Sequence, residues 1–262
     1  MQRANRKPTD TLSSYELLLK GKALHHKVQK DALLNALDTF DSAIKADEKN
    51  GQAYAWKACA LGQGLFRGYI EEDFNVVWKQ AEDNLKKARE LNENDFEVHR
   101  LMSEVTLAMK DFRAAQRHSK LAYDMVPNDP RVLSVYGDVC VRTGKVDEGV
   151  DALKLALDLD PIPQGKTNAD PRHAGLLFAY YMSRDKDGCL EQIGHLDEID
   201  VRSWLITTKI CSDEEHDYEN LDWFKEGKKL FADKDWEKVV PDFRLNNDSA
   251  SEALIELSLI HI

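Results

Sequence analysis

Apolar residues recur three and four positions apart along almost the whole chain, with no sustained alternation of polar and apolar residues. A spacing of three and four places apolar side chains on one face of an α-helix, whereas alternation is typical of half-buried strands. The pattern therefore predicts an all-α protein. Short polar segments such as Pro127–Asp129 and Asp160–Pro161 interrupt the pattern and indicate turns between successive helices.

The helical pattern repeats with a period of 34 residues. Two units fit this period without a gap, at 96–129 and 130–163, and two more fit with insertions, at 13–50 and 51–95. A degenerate fifth pair is predicted within 170–211. Small residues at matching places would let two antiparallel helices approach closely. These residues are Ser103, Ala115, Ala122, Gly137, Gly149 and Ala156.

Helix starts are indicated by residues that can satisfy the free amides of a first turn. Ser13–Glu16 and Ser249–Glu252 fit the capping box. Asp129 and Asp170 each precede a proline, which is favoured at the first helical position.

The two ends of the chain lie outside the repeats. We predict a linker at 1–12 and capping helices at 212–256. The last six residues, 257–262, resemble one reading frame of an adapter used in preparing sequencing libraries. That resemblance implies a truncated environmental reading frame, and the alternative is a short apolar helix end.

The second unit carries extra residues between its helices, at 62–73, which we predict to form a loop or an extra turn. Three glycines within 62–68 are similar to a phosphate-binding loop, but this segment follows a helix and lacks the Lys-Ser/Thr ending. A connection between helices is therefore favoured over a nucleotide site.

The charge balance argues against several partners. The chain has 36 Lys and Arg against 47 Asp and Glu, a net charge of -11, which opposes binding to nucleic acid or to an anionic membrane surface. No apolar segment is long enough to span a bilayer. The four cysteines are far apart, which indicates buried thiols in a reducing, cytoplasmic environment.

Catalytic and metal-binding motifs are not found in the sequence. His25-His26 and Asp213–His216 are the only dense groups of potential metal ligands, and their spacing fits no known site, so we expect them to be solvated. No nucleophile elbow is present. We therefore predict that the chain is not an enzyme and holds no cofactor and no metal ion.

The repeat spacing and small residues described above resemble the tetratricopeptide repeat (TPR) family. The resemblance implies a right-handed α-solenoid of antiparallel helix pairs, with about four clear repeats and one or two degenerate ones. The segment 8–21 resembles the entry into the C-terminal TPR region of bacterial signalling proteins. In those proteins the repeats follow a class III adenylate cyclase domain or a winged-helix regulator domain.

In TPR arrays the first helix of each pair lines a concave groove that binds other proteins. The resemblance therefore implies a candidate peptide-binding groove at Trp56, Arg100, Glu104, Arg131, Asp138, Arg142 and Tyr181. This face mixes both charge signs with aromatic rings, which suits a charged peptide. For any single residue, an ordinary solvated helix surface with pairs such as Arg100 and Glu104 is an equally good interpretation.

These observations predict a scaffold that binds a protein or peptide through its groove and has no catalysis of its own. The alternative is the detached sensory or regulatory region of a multidomain bacterial adenylate cyclase or transcription regulator. The Lys and Asn set with which some TPR proteins bind chaperone tails is absent from the groove positions, which disfavours that class of adaptor. The identity of the partner and the oligomeric state stay open at this stage.

Overall fold

The computed structural model describes residues 9–213 and 217–235, and this part of the chain contains twelve α-helices and no β-strand. The helices are α1 (Thr9–His25), α2 (Lys30–Ala46), α3 (Gly51–Phe66), α4 (Phe74–Leu91), α5 (Phe96–Ala108), α6 (Phe112–Met125), α7 (Pro130–Arg142), α8 (Val146–Leu159), α9 (Asp170–Ser183), α10 (Lys186–Ile193), α11 (Val201–Asp213) and α12 (Asp222–Leu230). Sequential helices pack in pairs, including α1 with α2, α3 with α4 and α7 with α8. The predicted all-α fold of antiparallel helix pairs is confirmed.

The helices belong to two compact units, which we call unit 1 (residues 1–106) and unit 2 (residues 107–262). The core of unit 1 includes Phe40 and Trp56 and is completed by small alanines of α2, α3 and α4. The main core of unit 2 includes Phe178 and Trp204. Each unit therefore has its own apolar centre, built from aromatic rings packed on small residues.

The predicted close approach of two helices is present between α7 and α8. A β-carbon on Gly137 would lie 2.7 Å from Leu153 Cγ and 2.9 Å from the carbonyl oxygen of Gly149. A β-carbon on Gly149 would lie 2.5 Å from Val141 Cγ2. Side chains do not approach so closely in packed interiors, so both positions require glycine. The other small residues of the repeat signature are also buried: Ser103, Ala115, Ala122 and Ala156.

One buried arginine joins three helices of unit 2. Arg172, near the start of α9, donates from Nε to the carbonyl oxygen of Asp160, 2.9 Å away, and from Nη2 to its carboxylate, 3.0 Å away. Its Nη1 donates to the hydroxyl of Ser134 on α7. A guanidinium with several fixed N–H groups is suited to such a junction, and it ties α7 and the end of α8 to α9.

Asp129 caps α7 as predicted. Its carboxylate accepts hydrogen bonds from the backbone N–H groups of Arg131 (2.9 Å) and Val132 (3.4 Å), and Pro130 occupies the first turn. Asp170 does not cap α9 in this way. Its carboxylate instead accepts from the backbone N–H groups of Asp197 and Glu198, at 2.9 and 3.0 Å, and so holds the segment after α10 against the start of α9.

The capping box predicted at Ser13–Glu16 is wrong, because α1 already begins at Thr9. Ser14 lies inside α1, and its hydroxyl donates to the carbonyl oxygen of Ala43 on α2, 2.8 Å away. This side chain therefore links the two helices of the first pair. The expectations for 1–8, for the capping box at Ser249–Glu252 and for 257–262 lie outside the described residues.

The insertion predicted at 62–73 to form a loop or an extra turn contains both, since α3 continues to Phe66 and a loop then leads to α4. Gly64 is inside the helix, where a β-carbon would lie 2.6 Å from Ile70 Cδ1, so this glycine serves packing. Gly68 adopts a φ of 64°, which favours glycine. The rings of Phe66, Phe74 and Trp78 then gather beside this turn.

Candidate functional site

The first helices of successive pairs lie next to one another within each unit. In unit 1, α1 contacts α3, and in unit 2, α7 contacts α9 and α9 contacts α11. The predicted groove residues lie on these helices and on α5. Five of them belong to two clusters that also contain other residues. We call these the unit 1 cluster (Lys22, Trp56, Glu97, Arg100, Glu104) and the unit 2 cluster (Asp138, Arg142, Phe178, Arg202).

Trp56 is at the centre of the unit 1 cluster and is only 3% exposed. The rings of His25 and His26 contact the indole edge-on, each with its centroid 5.4 Å away, and Phe40 stacks on it at 6.5 Å. We predicted an indole on a turn not used for packing, and that placement is wrong. The C-terminal end of α1 covers the ring.

Arg100 lies over Trp56, with its guanidinium carbon 5.5 Å from the ring centroid. Its Nε donates to Glu97, 3.2 Å away, and its Nη1 donates to Glu104, 2.8 Å away. Lys22 Nζ lies 3.2 Å from the second oxygen of Glu97 and 5.0 Å from the Trp56 centroid. Two cations thus meet two carboxylates against one aromatic ring.

The ionisation of the unit 1 cluster follows from this pairing. Burial alone would lower the pKa of Arg100, but the carboxylates of Glu104 and Glu97 raise it above its ordinary value. The side chain of Glu97 is only 2% exposed, so its charge depends on Arg100 and Lys22 for stabilisation. These contacts make the cluster a structural ion-pair network. Its solvent-exposed side is at Glu104, whose side chain is 37% exposed.

A Cys–His contact lies beside this network, with Cys59 Sγ 3.8 Å from His25 Nε2. Burial, together with nearby Glu104, raises the pKa of Cys59 to about 12. Burial and the neighbouring His26 and Arg100 lower the pKa of His25 to about 4. Both groups are therefore neutral at physiological pH, whereas a nucleophilic cysteine requires a stabilised thiolate. His25 was predicted to be solvated, and that prediction is wrong because the side chain is buried against Trp56.

The unit 2 cluster places two arginines over one ring. The guanidinium carbons of Arg142 and Arg202 lie 4.5 and 5.3 Å from the centroid of Phe178. Arg142 Nε donates to Asp138, 2.9 Å away, one turn earlier on α7. Burial and the nearby Arg142 lower the pKa of Arg202, while Asp138 and Asp200 act in the opposite direction.

Arg131 and Tyr181, the other predicted groove residues of unit 2, have different surroundings. Arg131 pairs with the capping residue Asp129, Nη2 to Oδ2 2.7 Å, and its side chain is 40% exposed. Burial alone would raise the pKa of Asp129, but the hydrogen bonds from Arg131 hold it below its ordinary value. Tyr181 is partly buried at the edge of the core, and burial together with Asp213 raises its pKa to about 12.

Sequence reasoning did not include Lys22, Glu97, Phe178 and Arg202 among the site residues. Glu97 and Arg202 stand in the first turns of α5 and α11, where a charged residue is ordinary, and Phe178 belongs to an apolar stretch. Neighbouring helices bring these residues to the clusters, so only the spacing of Glu97 and Arg100, three apart on one helix, was available as a sequence signal.

The described residues also bear on metal-binding and membrane-spanning segments. Within residues 9–213 and 217–235, no three His, Cys, Asp or Glu side chains lie together in a way that could hold a metal ion. No helix in those ranges combines the length and the apolar character needed to cross a membrane. Cys59, Cys140, Cys189 and Cys211 are free thiols.

No protein-family model and no curated protein sequence matches the chain. Solved structures do resemble it. The Pseudomonas aeruginosa pilF structure matches 86% of this chain and 95% of its own, with a TM-score of 0.61 and 14% identity. A thermophilic TPR protein from Thermus thermophilus matches 84% of this chain and 99% of its own, with a TM-score of 0.52 and 19% identity. The helix pairs of this chain therefore have the fold of a TPR protein.

Proposed function

We propose that this protein is a non-catalytic binding module for an extended segment of a partner protein, and that such a segment contacts a face formed by first helices within one unit. One observation carries the proposal: in each unit an arginine lies against an aromatic ring on that face, and its carboxylate partner is about one-third exposed. The exposed carboxylates are Glu104, at 37%, and Asp138, at 34%.

The chemistry of these faces defines the segment that fits. Glu104 accepts from Arg100 and Asp138 accepts from Arg142, and a carboxylate has about four acceptor sites on its two oxygens. They can accept from backbone N–H groups or from a Lys or Arg side chain of the partner. We therefore propose a segment with its own basic residues, and not a purely apolar helix.

The proposal that the module has no chemistry of its own is supported by its cysteines. Burial is the main cause that raises the pKa of each of them, and it brings that of Cys211 to about 11. A thiol that stays protonated is a poor nucleophile.

Selection from a displayed library of random peptides tests the proposal. Glu104→Gln and Asp138→Asn, made separately, each change one face with little change in shape, whereas Trp56→Ala would remove a core residue and confound binding with folding. As a control, Asp83→Asn changes an exposed ion pair on α4, a second helix.

We expect the parent protein and the Asp83→Asn control to enrich the same basic peptide motif. At least one of the Glu104→Gln and Asp138→Asn variants should lose that motif while keeping its helical circular dichroism. Equal enrichment by the parent and both face variants would contradict the proposal.

A further inference from the structure

A cavity of unit 2 lies between α6, α7 and the turn before α8, and its volume is about 440 Å³. It is lined by Arg113, Gln116, Arg117, Lys120, Tyr136, Cys140 and Lys145. Tyr136 and Cys140 form its buried floor. These two residues lie on the opposite side of α7 from Asp138 and Arg142, because positions two apart on a helix point in nearly opposite directions. The cavity is therefore separate from the unit 2 cluster.

Arg113 and Arg117 stand four residues apart on α6 and both line this cavity. Like charges at this spacing are neighbours on the helix surface and destabilise it. Opposite charges occupy the same spacing on two other helices, in the pairs of Lys79 with Asp83 and Lys209 with Asp213. Among the described residues neither Arg113 nor Arg117 has an ion pair. Their placement concentrates positive charge at one cavity, which favours an anion there.

The charges around the cavity do not balance. Four cationic side chains line it, and two carboxylates lie beside them. Asp124 pairs with Lys120, while Glu148 accepts from the hydroxyl of Tyr136 and lies 3.6 Å from Lys145. Two positive charges are therefore in excess, in a chain whose net charge is -11. A phosphate monoester carries about 1.5 to 2 negative charges near neutral pH, which matches this excess.

We propose that this cavity binds a phosphate monoester. Side chains four apart on a helix have Cβ atoms about 5–6 Å apart, so the guanidinium groups of Arg113 and Arg117 can both reach one tetrahedral group. Guanidinium groups form strong, charge-assisted hydrogen bonds to phosphate oxygens. Lys120 and Lys145 add charge at the rim, and the cavity has the volume of a small-molecule site.

The monoester can be a small molecule or a phosphoserine of a peptide, and calorimetric titration separates the two sources. The full chain is titrated with O-phosphoserine, with a short alanine-based peptide carrying one phosphoserine, and with the unphosphorylated peptide, each at the same low ionic strength set with sodium chloride. The test variant is Arg113→Gln/Arg117→Gln. The control variant, Lys86→Gln/Lys87→Gln, removes the same charge from exposed positions of α4.

We expect saturable binding of a phosphorylated ligand that weakens by about tenfold or more in Arg113→Gln/Arg117→Gln and is kept in the control variant. The urea midpoint of the arginine variant should equal or exceed that of the parent, because a like-charge pair is removed. Tighter binding of the phosphopeptide would assign the site to a phosphorylated protein, and equal binding to a free monoester. Absence of binding by both phosphorylated ligands, binding unaffected by the arginine substitutions, or equal binding of the unphosphorylated peptide would overturn the proposal.

Discussion

The unit 1 and unit 2 clusters share a plan but differ in charge. Both stack an arginine of a first helix on an aromatic ring of a neighbouring first helix, Arg100 on Trp56 and Arg142 on Phe178. In unit 1 two cations meet two carboxylates, one of them fully buried. In unit 2 a second arginine takes the place of the buried acid. The same stacking motif thus has balanced charges in the unit 1 cluster and an excess of positive charge in the unit 2 cluster.

The pKa values of Arg100 and Arg202 shift in opposite directions because the two clusters differ in charge. The carboxylates around Arg100 raise its pKa despite burial, whereas burial and the adjacent Arg142 lower that of Arg202. Within the described residues the guanidinium of Arg202 forms no ion pair, and its contact is the face of Phe178. The guanidinium of Arg202 is therefore less stabilised by neighbouring carboxylates than that of Arg100.

The largest expected effect comes from removing the buried acid of unit 1. Glu97→Gln leaves Arg100 and Lys22 without their shared carboxylate, and we expect the free energy of unfolding to fall by about 3–5 kcal/mol. Urea unfolding followed by circular dichroism measures the change. Glu71→Gln is the matched control, because Glu71 forms an ion pair with Lys30 that is mostly exposed, and it should have no measurable effect. Equal effects of the two substitutions would remove the distinction between a buried network and a surface pair.

A somewhat smaller loss of stability is expected from overpacking the contact between α7 and α8. Gly137→Leu would overpack the crossing with α8, costing about 1–3 kcal/mol or more, and would displace the neighbouring Asp138. Thermal unfolding measures the loss. Gly175→Ala is the control, since its β-carbon would lie at an ordinary distance of 3.8 Å from Leu153 Cδ2. An unchanged melting temperature for Gly137→Leu would be inconsistent with the helix register of the repeat.

The stability of unit 1 should depend on pH, because His25 is buried against the ring of Trp56. His25 has a pKa of about 4 in the folded protein and an ordinary value of 6.5. At a pH between these two values, His25 is protonated in the unfolded chain but neutral in the folded protein. Stability is thus lost as the pH falls from about 6.5 towards 4, and between pH 7 and pH 5 the loss is about 2 kcal/mol. Urea unfolding of the parent and of His25→Gln at both pH values tests this. The parent should show the steeper loss, and parallel losses would argue against buried, neutral His25.

The smallest effect is expected from the acid of the unit 2 cluster. Asp138→Asn breaks the ion pair with Arg142, but this carboxylate is one-third exposed, so water can solvate the groups left behind. We expect a change of about 0.5–1 kcal/mol in the free energy of unfolding, well below that of Glu97→Gln. A loss as large as that of Glu97→Gln would show that the two clusters have the same structural role.

The sequence predicted the helix pairs because they depend on local information. Apolar spacing, small residues such as Gly137 and turns such as Pro127–Asp129 each act within one repeat. The faces of the helices were predicted less well. Trp56 was assigned to an open turn, yet residues near the end of α1 cover it, and no pattern within α3 reports that contact. Burial of a face depends on the neighbouring pair, which periodicity alone does not specify.

Only some of the site residues could be predicted from the sequence, for the same physical reason. Arg100 with Glu104 and Asp138 with Arg142 are four apart on single helices, so each pair was visible in the sequence. Glu97 was not recognised, because its pairing with Lys22 joins residues 75 positions apart.

The junction at Arg172 has a consequence for how unit 2 opens. In repeat arrays, stability is approximately the sum of each repeat's own stability and the coupling to its nearest neighbours, so weakly coupled repeats can fray one at a time. Arg172 joins the α7–α8 pair to α9 by hydrogen bonds to Ser134 and Asp160. Because these bonds couple the α7–α8 pair to α9, we expect the three helices to open together. Backbone amides of α7, α8 and α9 should then exchange with deuterium as one cooperative block.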